Sequence, residues 1–236
     1  MYDPVCKYLV ENFSDDFASW LLGESISLST LDPSELSLEP IRADAIILLE
    51  STPPANPTIL HIEFQTRPDP QIPFRMLDYW VRKYRRYPDK QLRQIVIYLT
   101  PSQSDLVYQS RFHQDRTSHE FEVVRLWEQP FETFLQSPGL LPFAVLSRVA
   151  NPATALEQVA AQVRNTLEPP AQKSIGASTA ILAGLLLEES LIQRIIGMDL
   201  LEQSSVYQSI KQKGVQEGRQ EGRQEGRQEG RQEGRQ

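Results

Sequence analysis

The chain has very little sulfur chemistry available to it: a single cysteine, Cys6, so no internal disulfide can form. Cys6 sits among helix-forming apolar residues, where a buried free thiol is expected rather than a reactive one. There is no basic surplus either. Lys and Arg total 24 against 31 Asp and Glu, a formal net charge of -7. A protein that coats nucleic acid indiscriminately needs a basic surface to neutralise phosphates, so any nucleic-acid contact here must be local. Long hydrophobic runs are also missing. The longest in the C-terminal part, Ile181 to Leu187, is far short of the ~20 residues that span a bilayer. No charged leader precedes an apolar region at the N-terminus, and the expected location is the cytoplasm, without a membrane partner. Glycine-rich phosphate loops, serine elbows and paired-cysteine zinc signatures are absent from the sequence. With 40% hydrophobic residues over 236 positions, the chain can bury a substantial core.

Against that background two apolar runs stand out, Ile41 to Leu49 and Thr58 to Thr66, separated by a short proline-rich turn. Both read as strands. Successive side chains of a strand point to opposite faces, so Leu60, Ile62 and Phe64 make one apolar face while His61, Glu63 and Gln65 share the other. A hairpin return would bring Asp44 of the first strand beside Glu63. Two carboxylates with an open coordination position suit a hard divalent cation, Mg2+ or Mn2+, because such ions prefer oxygen ligands and keep exchangeable waters. A half-exposed antiparallel sheet, carrying no ion, gives the same alternation.

The pattern of Asp44 followed by Leu60-His61-Ile62-Glu63-Phe64-Gln65 resembles the PD-(D/E)XK nuclease superfamily, and within it the recombination-promoting nuclease (Rpn), putative-transposase branch. The resemblance covers roughly Met1 to Trp127. It implies that Asp44 and Glu63 bind Mg2+ or Mn2+ and that Gln65 stands at the position most of the superfamily gives to lysine. Glu11, on the first helix, is similar in placement to an accessory metal-binding acid. Gln65 can orient a water or a phosphate oxygen, but it carries no charge and cannot act as a base.

The rest of the chain is consistent with an α/β fold. Asp3-Pro4 marks a helix start, and Val5, Leu9, Phe13 and Phe17 recur at helical spacing up to Gly23, with a break near Ser14. Between Pro70 and Pro88 the period changes to helical, and Phe74, Leu77, Val81 and Tyr84 form the expected buried stripe. Arg75, Tyr79, Arg82 and Arg86 align on the adjacent face. From Arg67 to Arg93 eight basic residues oppose three aspartates, a local balance of +5 in an acidic protein. That helix is the candidate DNA-binding element, holding a phosphodiester backbone over the acids. Leu92 to Thr100 reads as a strand buried on both faces, and Glu120 to Trp127 as another strand. His61 is expected to be a structural hydrogen-bond partner, and His113 and His119 to lie in a loop.

These elements imply a restriction-endonuclease-like mixed central sheet flanked by helices over residues 1–141. A helical extension follows over 142–214, with helices at Ala153 to Thr166, Ser178 to Gln193 and Met198 to Gly214. Residues 215–236 carry five Glu-Gly-Arg-Gln repeats ending at Gln236. As a helix, this tail would stack Glu over Glu and Arg over Arg, and it is expected to be frayed or only marginally helical. Two functions of different class follow. One is a metal-dependent DNA endonuclease that promotes recombination or transposition. The other is a catalytically weak nuclease-fold protein that binds or assembles, with homo-oligomers among its assemblies.

Overall fold

The structure is a computed structural model, and it describes residues 2–23, 28–29, 45–49 and 58–197. The repeat tail, the helix expected at Met198 to Gly214 and the Asp44 position lie outside the described residues.

Two helices open the chain, α1 (Asp3–Asn12) and α2 (Ser14–Leu22), and the break falls at Phe13, whose φ of -133° leaves the helical region. Asp3 is the first helical residue rather than the cap, which is Tyr2, and the proline follows in the first turn where it forfeits no hydrogen bond. Gly23 ends α2 with φ 75°, a left-handed cap that glycine adopts without a Cβ clash.

Next come β1 (Leu28–Ser29), β2 (Ala45–Leu49) and β3 (Thr58–Gln65), paired antiparallel in sequence order. Helix α3 (Ile72–Arg86) then crosses over, so that β4 (Gln91–Tyr98) returns parallel to β3. A small antiparallel hairpin, β5 (Arg111–Gln114) and β6 (Thr117–Glu120), precedes β7 (Glu122–Arg125), which pairs parallel to β4. The result is a mixed five-stranded sheet of order β1-β2-β3-β4-β7, flanked by helices. His113 and His119, expected in a loop, are hairpin residues: the turn at Asp115, with φ 53°, closes a strand pair. Aspartate tolerates that conformation better than most side chains do.

The C-terminal helices are α4 (Phe131–Phe134), α5 (Leu141–Ala144), α6 (Pro152–Thr166), α7 (Pro169–Ala183) and α8 (Glu189–Ile196). Asn151 caps α6 by accepting from the Ala153 N–H at 2.9 Å. Pro169-Pro170 opens α7, because the first-turn amides of a helix have no intrahelical acceptor. The single helix expected from Ser178 to Gln193 is therefore two, divided at Gly184, where the backbone tightens into turns. Among the described residues no helix is long and apolar enough to cross a membrane.

The apolar face of β3 fulfils its alternation. Leu60, Ile62 and Phe64 join Ile95 and Ile97 of β4 in one core with Val5, Cys6, Leu9 and Phe17 from the first helices and Leu156, Val159, Ile175, Leu182 and Ile192 from the last three. Cys6 is buried there as a thiol outside any disulfide. Phe64 stacks on Phe143 at 5.8 Å between ring centroids, and Phe17 meets both rings edge-on. This three-way aromatic contact locks the register of faces on β3. At the edge of the core Gly139 donates to the Asp16 carboxylate at 2.7 Å, and a Cβ at this glycine would lie 2.2 Å from the Phe13 Cβ. Only glycine permits that approach.

The other face of the sheet is covered by α3, through a second apolar cluster of Ile72, Met76, Val96, Tyr98, Val107 and Phe121. This corrects the expected stripe. Phe74 and Tyr84 are 53% and 52% exposed, while Ile72, Met76 and Lys83 are buried. The helix is rotated because the sheet face beneath it is partly polar: it offers Glu63 and His61, and Arg75, Met76 and Tyr79 are the residues that can meet them. The outward aromatic side rests partly on the hairpin, with Phe74 5.9 Å from Phe112 and Trp80 6.1 Å from His119.

Candidate functional site

Glu63 lies at the centre of the sheet, and its side chain is fully buried. Strand parity explains its position: with Ile62 and Phe64 held in the main core, Glu63 must point to the α3 side. A carboxylate there is costly unless compensated. Arg75, in the second turn of α3, donates Nη2 to Glu63 Oε1, and its Nη1 reaches Asp69 Oδ2 at 3.4 Å. Gln65, two residues along the same face, donates Nε2 to the same Oε1 at 3.2 Å. All this compensation converges on one oxygen. Among the described residues the other, Oε2, has no hydrogen-bond partner.

His61 neighbours Glu63 on that face, its Nε2 lying 3.8 Å from Glu63 Oε2. The ring meets Tyr79 edge-on at 4.4 Å. Burial, and then the charge of Arg75, push the imidazole down to about 3 from an ordinary 6.5, so it is neutral at physiological pH. The parallel register sets His61 against Gln94, whose amide nitrogen lies 3.1 Å from His61 Nδ1 and 2.9 Å from the Met76 carbonyl oxygen. Gln94 Oε1 is in turn 2.6 Å from His119 Nε2.

The residues singled out in the sequence are therefore distributed as follows. Glu63, Gln65 and Arg75 meet at one carboxylate. Tyr79 packs on His61. Arg82 pairs with Asp78 at 3.0 Å one turn away, and the Arg86 guanidinium lies 5.7 Å from the Tyr87 ring centroid at the exposed end of α3. Glu11 is half-exposed on α1, 3.8 Å from Lys7, and α1 packs against the opposite face of the sheet from Glu63. Among the described residues no three of His, Cys, Asp and Glu are grouped to hold an ion. Asp44 falls outside them.

Gln94, His119 and Asp69 were not singled out from sequence. Gln94 had a legible signal, an amide directly before the apolar stretch Ile95 to Leu99, at a position where alternation places it with Val96 and Tyr98 on the α3 side. His119 and Asp69 had none, because only the return of the hairpin and the loop after β3 bring them close.

The fit to a hard cation can be judged from the donors themselves. Glu63 Oε2 is a buried carboxylate oxygen with no hydrogen-bond partner among the described residues, which leaves its lone pairs available to a cation. Its partner oxygen already has a guanidinium and an amide. No family model, curated protein or solved structure matches this chain.

Proposed function

We propose that this chain is a metal-dependent DNA endonuclease of restriction-endonuclease-like fold, similar to the recombination-promoting branch of the PD-(D/E)XK superfamily. The observation that carries the reading is the buried Glu63 carboxylate with one oxygen left without a bond among the described residues. The ladder of β2 and β3 pairs Ala45 with Ile62. Asp44 precedes Ala45 in sequence as Glu63 follows Ile62, so continuing this antiparallel register by one residue would oppose the two acids. Asp44 and Glu63 would hold Mg2+ or Mn2+. When bound, such a cation polarises a phosphoryl oxygen and lowers the pKa of a coordinated water.

The protein's own groups divide the remaining work. Gln65 cannot supply the charge of the lysine it replaces, but Arg75 places a permanent cation beside the same carboxylate. Its planar fork suits two phosphate oxygens at once. On this reading Arg75 serves the scissile phosphate, while Arg82, Arg86 and the basic end of α3 steer the flanking backbone, and the Gln65 amide orients a water or a phosphate oxygen.

The test is cleavage of plasmid DNA in Mg2+ or Mn2+ by the wild type, Asp44→Ala and Glu63→Ala. Both variants are expected to lose metal-dependent cutting by ~100-fold or more, as removal of a metal ligand from a hydrolytic centre should cause. A second prediction concerns binding. Arg82→Ala with Arg86→Ala is expected to weaken duplex binding and to reduce the salt slope by about 1.8, the value for two lost phosphate contacts. An unchanged slope would remove these arginines from the interface.

The Arg75–Glu63 pair also favours a second reading, in which the carboxylate is neutralised for good and the nuclease fold serves binding or assembly. In that case the wild type and both acid variants cut at the same background.

A further inference from the structure

The surroundings of His61 determine which of its nitrogens carries the proton. The Met76 carbonyl can only accept, so the Gln94 atom 2.9 Å from it must be the amide NH2. That same NH2 lies 3.1 Å from His61 Nδ1 and presents a donor to it. Reversing the amide would set two acceptor oxygens against each other at the Met76 carbonyl. With the amide so fixed by the Met76 carbonyl, Gln94 Oε1 at the far end accepts from His119 Nε2 at 2.6 Å, which sets the proton of that imidazole as well. Nδ1 is therefore the bare nitrogen, and a neutral imidazole keeps its one proton on the other.

We infer that His61 is a positioning residue for Glu63 and not a metal ligand, its proton held on Nε2 by the Gln94 amide. His61 Nε2 lies 3.8 Å from Glu63 Oε2, and among the described residues neither atom has a hydrogen-bond partner. This gap is longer than a hydrogen bond, and a shift of about 1 Å by the carboxylate closes it. Glu63 thus has a cation on Oε1 and, 3.8 Å from Oε2, a neutral donor that approaches that oxygen only when no ion holds it. The imidazole lone pair, meanwhile, faces away from Glu63. Ions that draw on nitrogen ligands, such as Zn2+, find no imidazole lone pair facing Glu63 among the described residues, and Mg2+ and Mn2+, which take oxygen ligands, need none. This last consequence rests on the proposed role of Glu63 as a metal ligand; the assignment of the proton does not.

Long-range 1H–15N correlation spectra of the 15N-labelled full chain read the tautomer directly, because bare and protonated ring nitrogens resonate far apart. For His61 the wild type is expected to show Nε2 protonated and Nδ1 bare at pH 7; the opposite pattern overturns the inference. Gln94→Glu offers Nδ1 an acceptor in place of a donor and should invert the pattern, and a spectrum unchanged by it would remove Gln94 from the role. Gln94→Leu, which cannot repel the Met76 carbonyl, should give a mixture of tautomers, and a retained Nε2–H there would also remove Gln94. Titration with Zn2+ should leave the His61 signals of the wild type in place. In Gln94→Glu it should shift them, with Zn2+ binding tightened about 10- to 100-fold, the usual reach of an orienting partner. Zn2+ capture by His61 in the wild type overturns the assignment whether or not the protein cuts DNA. Loss of the nuclease reading would in turn leave the tautomer spectra unchanged.

Discussion

Replacing Arg75 by alanine is expected to lower the free energy of unfolding by about 3 kcal/mol, the low end of the range for removing one partner of a buried ion pair. The reason lies in the asymmetry of the pair. Glu63 is completely buried, and Arg75 is 36% exposed. Without the guanidinium, the buried carboxylate keeps, among the described residues, the Gln65 amide at 3.2 Å as its hydrogen bond. Removing the other partner costs less. In Glu63→Gln the guanidinium retains solvent and Asp69 at 3.4 Å, so a loss of about 1 kcal/mol is expected. Urea titrations at pH 7 measure both. Equal losses, or a loss below about 1 kcal/mol for Arg75→Ala, would show that water or another group reaches the carboxylate. The same variant bears on function, since an unpaired Glu63 gains most from a cation. Added Mg2+ should stabilise Arg75→Ala more than the wild type, by an amount set by mass action, about 2.7 kcal/mol at a hundredfold excess over Kd.

The second large effect is acid sensitivity caused by His61. Its pKa falls from 6.5 to about 3 on folding, through burial first and the Arg75 charge second. Below pH 6.5 the unfolded chain takes up a proton at this residue that the folded chain refuses. The stabilisation is therefore complete above pH 6.5 and declines as the pH drops towards 3. The slope approaches about 1.4 kcal/mol per pH unit. His119, also lowered by burial, acts in the same direction. Carboxylates contribute their own acid dependence, so the comparison is with His61→Phe, which keeps an aromatic ring against Tyr79 and cannot titrate. Plotted against pH, the stability difference between wild type and variant should tilt steadily between pH 6 and pH 4, against the wild type as acid is added. Parallel curves would show that the imidazole is protonated in the folded state.

Which parts of this arrangement were legible in advance follows from how far apart in sequence the causes lie. The two faces of β3 could be read from residues 60 to 65 alone, because alternation is a property of extended backbone. The helix break at Phe13, the Gly23 cap and the buried β4 strand were equally local. The stripe on α3 was misjudged because two apolar arcs exist on that helix, one holding Ile72 and Met76 and the other Phe74, Leu77 and Val81. Helical periodicity shows that both exist but cannot rank them.

The sequence by itself determined that Glu63 and His61 share a face, that they are flanked by apolar residues pointing the other way, and that a basic helix follows. Tertiary structure alone decided what satisfies them. Arg75 reaches Glu63 only because α3 crosses over the sheet in one rotation, and Gln94 meets His61 only because the parallel register sets position 94 beside position 61. Both depend on contacts across 12 and 33 residues. The energy of burying a charge or an imidazole is settled by whichever distant groups are delivered to it, and local patterning carries no record of that delivery.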